Sequence, residues 1–183
     1  MRIWNKGFTL IELLVTLSVA AIVVSIAVPS FNSTIQNNRS VAMGDEAVVA
    51  LNVARSEAIK RSKRVSICST TDGATCLTAA DWTKGWMVFV DNAISDSASD
   101  PIVGEVIRVW LNLPETAVVS LKNATTPITF LRFSGTGMLA RKNTADAIAR
   151  TFSLAITGCS GKAQTVVKIG VSGIVTAAKT NCP

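Results

Sequence analysis

The stretch KGFTLIELL (residues 6–14) opens an apolar run, FTLIELLVTLSVAAIVVSIAV (residues 8–28), which ends just before Pro29. The run has 21 residues and a single charged side chain, that of Glu12. Because a helix rises about 1.5 Å per residue, a run of this length spans the roughly 30 Å hydrocarbon core of a bilayer. The run therefore predicts a membrane-spanning helix.

The segment before the run carries Arg2 and Lys6 and no acid, which places it on the cytoplasmic side of the membrane by the positive-inside rule. The remainder of the chain then lies across the membrane. A cleaved secretory signal peptide is the alternative. However, VPS (residues 28–30) lacks an A-x-A pattern, and the run is longer than a typical signal-peptide core. We therefore interpret residues 8–28 as a retained anchor.

Glu12 is the residue in this run that most strongly indicates a function. A carboxylate at the middle of a membrane helix costs about 2.5–3.5 kcal/mol on insertion scales, and less near a helix end. Such residues are functional candidates by default. A purely interfacial position for Glu12 is weakened by the four apolar or neutral residues that precede it in the run, residues 8–11.

The segment KGFTLIELL resembles the class III signal of type IV pilins and type II secretion pseudopilins. The resemblance implies that a prepilin peptidase cuts between Gly7 and Phe8 and methylates the new amine of Phe8. It also implies that Glu12 pairs with the N-terminal amine of a neighbouring subunit, and that Pro29 bends or loosens a long helix. The implied partners are other major and minor pilins and an inner-membrane assembly platform. The implied location is the inner membrane, with the C-terminal domain periplasmic, and then the filament, at its tip.

A second apolar pattern continues the helix beyond the membrane. Ala47, Leu51, Ala54 and Ala58 recur at helical spacing and form one apolar face. One helix is therefore expected from Phe8 through Pro29 to about Lys60, with its first half in lipid. The expected organisation is a cleaved leader (1–7), a transmembrane assembly helix (8–28) and a periplasmic globular domain (29–183) that includes the second half of the helix.

The sequence of the C-terminal two thirds of the chain predicts a series of short strands. They are expected at 65–68, 85–91, 106–111, 117–121, 128–133, 151–156, 165–169 and 174–176. One helix followed by many strands predicts an α+β fold, a long helix packed on an antiparallel β-sheet domain. Residues 92–100 are small and polar and are expected to be a mobile loop, and Trp82 is expected to be partly exposed.

The four cysteines are expected to form two disulfides, because an even number in an exported domain favours pairing. Three pairings are available, and we choose Cys68–Cys76 and Cys159–Cys182 because each closes a local loop. A four-thiolate zinc site is the alternative. The spacings, with seven and 22 intervening residues, do not match the short pairs of structural zinc sites, so no metal is expected.

The composition argues against an enzyme. The sequence has no histidine, which excludes Ser-His-Asp catalysis and His-liganded zinc sites. The acids Asp91, Asp96, Asp100 and Glu105 lack the spacing of a calcium loop. Neither a catalytic residue nor a cofactor is expected.

The globular part resembles the GspH/FimT group of minor pilins and pseudopilins. The resemblance rests on ARSEAIKR (54–61), VSIC (65–68) and WTKGWMVFVD (82–91). It implies a minor pilin that joins a tip complex and primes pilus assembly. The alternatives are a type II secretion pseudopilin and a minor pilin that binds DNA for transformation.

A basic cluster near the predicted end of the helix is the candidate DNA contact. It comprises Arg55, Lys60, Arg61, Lys63 and Arg64, with Glu57 as the one acid among them. Basic side chains at a helix C-terminus also complement the helix dipole without binding any ligand, and this interpretation is the preferred one. DNA-binding members of the group carry a Gly-Arg-x-Arg-like element, and here Ile174 and Thr176 stand in place of its arginines.

Overall fold

The computed structural model describes residues 8–141 and 148–183, with the backbone alone described at 28–30. Its dominant element is a single helix, α1 (Leu10–Arg61), of 52 residues, which is roughly 78 Å long at 1.5 Å per residue. The helix continues through Pro29 and ends at Arg61, and the left-handed backbone of Ser62 (φ 51°) caps the last turn. The predicted continuity between the apolar run and the helix of the domain is confirmed.

The second half of α1 is buried along one face. Ala47, Leu51, Ala54 and Ala58 have no exposed surface, as their spacing predicted. Their small side chains let the helix lie close to the strands. Gly44 extends this contact, because a Cβ at that position would collide with the side chain of Thr165. The helix is thus held to the domain from about Ser40 onward, where burial begins.

Nine strands follow within the described residues. Their bounds are β1 (Val65–Ser69), β2 (Gly85–Asp91), β3 (Val103–Leu111), β4 (Ala117–Asn123), β5 (Thr126–Pro127), β6 (Phe130–Phe133), β7 (Arg150–Ile156), β8 (Gln164–Ile169) and β9 (Val175–Thr180). A short 3-10 helix, Trp82–Lys84, precedes β2. The strands form two antiparallel sheets, one in the order β3-β2-β1-β6 and one in the order β5-β4-β7-β8-β9. The α+β fold is confirmed.

Two details of the strand prediction were wrong. Of the strand predicted at 128–133 only Phe130–Phe133 is a strand, β6, which pairs with β1, and the unpredicted β5 just before it pairs with β4 in the other sheet. Strand β9 continues to Thr180, well past the short run at 174–176. In both cases pairing with a neighbouring strand, which the local sequence does not show, fixes the boundary.

The core lies between α1 and the inner faces of both sheets. Trp82, Trp86 and Phe152 are fully buried there, and the rings of Trp82 and Phe152 meet edge to face at 5.2 Å. The expectation that Trp82 is partly exposed was wrong. Its indole N–H donates to the carbonyl of Ile128 at 2.9 Å, which satisfies the one polar group of the ring and allows its burial.

A buried ion pair anchors the loop that follows β2. The Arg132 Nε donates to the Asp91 carboxylate at 2.7 Å, and both side chains are almost fully buried. The other guanidinium nitrogens of Arg132 donate to four carbonyls within residues 95–100. The sequence predicted a mobile loop at residues 92–100. The structure shows instead a loop whose carbonyl groups are held by the buried guanidinium of Arg132.

Candidate functional site

The start of α1 is built around Glu12. Thr9 is the N-cap, in an extended conformation, and its hydroxyl accepts the backbone N–H of Glu12 at 3.3 Å. In return, the Glu12 carboxylate accepts the backbone N–H of Thr9 at 3.1 Å and its hydroxyl at 3.0 Å. This reciprocal arrangement is a capping box, which satisfies donors that would be orphaned at the helix start.

The role of Thr9 was not predicted. The signal was available, since Thr9 and Glu12 stand in the T-x-x-E pattern of a capping box immediately before an apolar run. Phe8 lies just outside the helix and is 82% exposed. Gly7 lies outside the described residues. The structure thus presents an exposed aromatic residue and a capped carboxylate four residues apart at the tip of a long helix.

The apolar half of α1 has no cover from the rest of the described chain. Every described side chain from Leu10 to Ile26 is exposed, including the large apolar residues Leu10, Ile11, Leu13, Leu14, Val15, Leu17, Val19, Ile22, Val23, Val24 and Ile26. By length and composition this is the one helix in the described part of the chain that could cross a membrane. Its apolar surface and the N-terminal motif together indicate membrane anchoring. Pro29 lies in the helical backbone at the end of this half.

Both predicted disulfides are present. Cys68 is joined to Cys76, with their Cα atoms 5.7 Å apart, and Cys159 is joined to Cys182 at 5.9 Å. The first link closes the turn after β1, and the second ties the C-terminus to the β7–β8 turn. All four sulfurs are therefore engaged, and the thiolates that the zinc alternative requires are not available. No cluster of three potential metal ligands occurs among residues 8–141 and 148–183.

The basic cluster at the end of α1 is largely matched by acids. Arg61 donates to Glu57 at 2.6 Å and to Glu105 at 2.7 Å, and Lys60 lies 3.5 Å from Glu57. These contacts raise the pKa of Arg61, first through its hydrogen bond to Glu105 and then through that to Glu57. The hydrogen bond from Arg61 likewise lowers the pKa of both carboxylic acids. A cation placed between two carboxylates is a poor partner for phosphate.

The remaining cations of the basic cluster lie in different surroundings. Arg64 pairs with Asp96 at 3.3 Å. Arg55 points away from these acids and donates to the carbonyls of Gly137 and Ser172. Lys63 is exposed. Four of the five cations, Arg55, Lys60, Arg61 and Arg64, therefore have partners within the described chain.

The acids considered as calcium ligands are also occupied. Besides Arg132, the Asp91 carboxylate accepts Ser66 Oγ at 2.6 Å and the backbone N–H groups of Ala93 and Ile102 at 2.9 Å. Burial alone would raise the pKa of Asp91, but the hydrogen bonds from Ser66, Ile102, Ala93 and Arg132 together lower it. Asp91 is thus the ionised centre of a structural network. The role of Arg132 was not predicted, because no local pattern links it to Asp91, 41 residues earlier.

Comparisons with known proteins agree with this architecture. The family model described as type II transport protein GspH matches residues 44–173, well over half of the chain. The prokaryotic N-terminal methylation motif matches residues 5–28. No curated protein matches the sequence.

Two crystal forms of the type IV minor pilin FimU of Pseudomonas aeruginosa PAO1 are similar in structure. One is 21% identical and covers 77% of this chain and 89% of FimU, with a TM-score of 0.55. The other is 22% identical and covers 75% and 90%, with a TM-score of 0.52. At this identity the likeness shows a shared fold. With a methylation motif on its apolar helix and a GspH domain behind it, the chain belongs to the GspH/FimT group of type IV minor pilins and type II pseudopilins.

Proposed function

We propose that the chain is a minor pilin of a type IV pilus, stored in the inner membrane until it joins other pilins at the filament tip and primes assembly. The observation that carries the proposal is the bare apolar half of α1 that projects from a separately packed domain. Membership of the family implies interaction with other pilins during filament assembly. Such proteins are structural, and in this proposal the chain acts through its contacts and not through a reaction.

Processing would take place at the tip of the helix. A prepilin peptidase would cut between Gly7 and Phe8 and methylate the Phe8 amine. Support comes from the extended backbone at Thr9 and the exposure of Phe8, because a peptidase needs a segment that is not helical.

Glu12 would direct assembly by its charge. Both hydrogen bonds from Thr9 go to Oε2 of the carboxylate, and they leave its negative charge in place. A charge in a medium of low dielectric is costly without an opposite charge nearby. The methylated amine of a neighbouring subunit would neutralise it when an assembly platform brings two helices together. The domain would remain periplasmic during storage.

The rival candidate is a pseudopilin of type II secretion, which the description of the GspH family model favours. The likeness to FimU, a type IV minor pilin, favours the pilus. Deletion of the gene in its host separates the two. We expect fewer surface pili and less twitching motility, with unchanged secretion of exoproteins, and restoration of pili by the wild-type gene. Loss of secretion with normal piliation would assign the chain to the secretion system instead.

A further inference from the structure

Three exposed apolar residues lie on the segments of the domain that meet at Arg55. Ile59 is 49% exposed, Met138 is 46% exposed and Ile174 is 53% exposed. We call these three residues, together with Arg55, the Arg55 patch. Exposed apolar groups that occur singly need no explanation, whereas apolar groups that lie close together are candidates for an interaction site.

The patch forms where three segments meet at Arg55. The Arg55 Nε donates to the carbonyl of Gly137 at 3.2 Å, and Nη2 donates to the carbonyl of Ser172 at 3.4 Å. These two contacts join the loop after β6 and the turn before β9 to the helix. The residues that follow the two glycines in these segments are Met138 and Ile174.

Two glycines make this close approach possible. Gly137 and Gly173 both have φ of +77°, a backbone conformation that other residues rarely adopt. A Cβ on Gly173 would collide with the carbonyl of Gly137, and a Cβ on Gly137 would lie 2.6 Å from the Ile59 side chain. The patch is therefore a fixed feature of the fold, since two conformationally special residues are needed to form it.

A shallow groove extends the patch along the exposed face of α1. Its lining residues are Val49, Asn52, Val53, Arg55, Ser56 and Ile59. The groove runs toward the N-terminal end of the same helix, whose apolar half is bare. The groove therefore follows the axis of α1 toward the exposed apolar half of this helix.

The charge of the patch differs from that of the neighbouring cluster. Arg61 has two carboxylate partners, whereas Arg55 contacts carbonyl oxygens and has no carboxylate within 4 Å among the described residues. Arg55 therefore places an uncompensated positive charge in an apolar surface. The chemistry that complements it is an apolar side chain next to a carboxylate.

We propose that the Arg55 patch and its groove dock the globular domain of a different neighbouring pilin-type subunit, which offers a carboxylate beside an apolar side chain. The inference rests on the proposed function, because helices anchored in one membrane bring their soluble halves side by side. Symmetric pairing of two copies is disfavoured, since it would oppose one Arg55 to another. DNA is disfavoured because one cation among three apolar groups offers few phosphate contacts.

Site-specific photo-cross-linking in the native host tests the proposal. The full chain carries p-benzoylphenylalanine at Met138 or at Ile174, and cross-linked products are identified by mass spectrometry. Val118, on β4 and 45% exposed, is the matched control position. We expect both patch positions, but not position 118, to cross-link to another chain that has an N-terminal methylation motif. Arg55→Glu should reduce the yield from position 138 about fivefold or more, as for a contact at the centre of an interface.

Incorporation of the same variants into pili is measured in parallel, so that two failures can be told apart. If the chain enters filaments but the patch gives no cross-link, or gives no more than position 118, the docking proposal is wrong and the proposed function stands. Symmetric dimers of the chain or nuclease-sensitive products from the patch would also overturn it. If the wild-type chain never enters filaments, the proposed function fails and the docking proposal fails with it. Arg55→Lys, which keeps the charge, should retain cross-linking if charge complementarity is the cause.

Discussion

The two halves of α1 both carry apolar side chains but have opposite surroundings. From Leu10 to Ile26 the described side chains are exposed, whereas Ala47, Leu51, Ala54 and Ala58 are completely buried against the sheets. The second half obtains its stability from the domain. The first half obtains none from the described chain, so what covers it must come from outside, from lipid or from the helices of other subunits.

The free energy of burying the first half supports this contrast between the two halves. Twelve large apolar side chains between Phe8 and Ile26 are more than half exposed. Full burial of such a side chain is worth about 1.5–3 kcal/mol, so completing the burial of all twelve represents on the order of 10–20 kcal/mol. This is as large as the roughly 5–15 kcal/mol that typically stabilises a whole domain. Variants in the first half of α1 should therefore alter assembly, and variants in the second half and the domain should alter folding.

Gly7→Val should have the largest effect and should act on the first half alone. A branched side chain at the cleavage position is expected to block the peptidase completely. An immunoblot of the membrane fraction should show only full-length precursor, while the unfolding of the domain stays unchanged. Gly7→Ala, which adds a single methyl group, is the milder control. Normal maturation of Gly7→Val would contradict the assignment of residues 1–7 as a cleaved leader.

Arg132→Met should strongly destabilise the domain. The change leaves the Asp91 carboxylate buried without its cation and frees the four carbonyls of the loop, and breaking a buried pair in this way costs about 3–5 kcal/mol. Denaturant unfolding of the full chain in detergent, followed by tryptophan fluorescence, measures the loss. The double variant Asp91→Leu/Arg132→Met should recover part of it, because no unpaired charge remains. A loss below about 1 kcal/mol for Arg132→Met would contradict the role of the ion pair.

Removal of the link between Cys159 and Cys182 should have a somewhat smaller effect. Replacing both cysteines with serine should lower the free energy of unfolding by about 3 kcal/mol, on the loop-entropy model for a loop of this size. Non-reducing peptide mapping of the wild-type protein should recover this pair and the Cys68–Cys76 pair. Free thiols or any other pairing in the mature protein would show that the local-loop argument fails.

The smallest effect is expected for the quadruple variant Lys60→Ala, Arg61→Ala, Lys63→Ala and Arg64→Ala in DNA binding. Two of these cations already contact Glu57, so the wild-type chain should bind duplex DNA only non-specifically, with dissociation constants of roughly 10⁻⁴–10⁻⁶ M at physiological salt. Fluorescence anisotropy over a salt series should give nearly the same slope for both proteins. Submicromolar, salt-sensitive binding that the variant loses would instead support a DNA receptor.

The sequence predicted those features that local patterns determine. The apolar run, the face of Ala47, Leu51, Ala54 and Ala58, and the two cysteine pairs are each determined over short distances along the chain. The assignment of strands to two sheets could not be predicted in the same way, because it depends on pairing between distant segments. The same holds for the burial of Trp82, which depends on a carbonyl 46 residues away, and for the partners of Arg132 and Arg55.

Glu12 provides the most direct test of the central claim, that the bare half of α1 assembles through a charge at its start. Glu12→Ala removes both the capping box and the charge, whereas Glu12→Gln keeps a residue that suits a capping box and removes the charge alone. Incorporation of each variant into purified pili is measured by immunoblot, with the unfolding of the domain as a control. Both variants should be processed and folded but absent from filaments. Normal incorporation of Glu12→Gln would show that capping, and not charge, is what Glu12 contributes, and normal incorporation of Glu12→Ala would contradict the mechanism entirely.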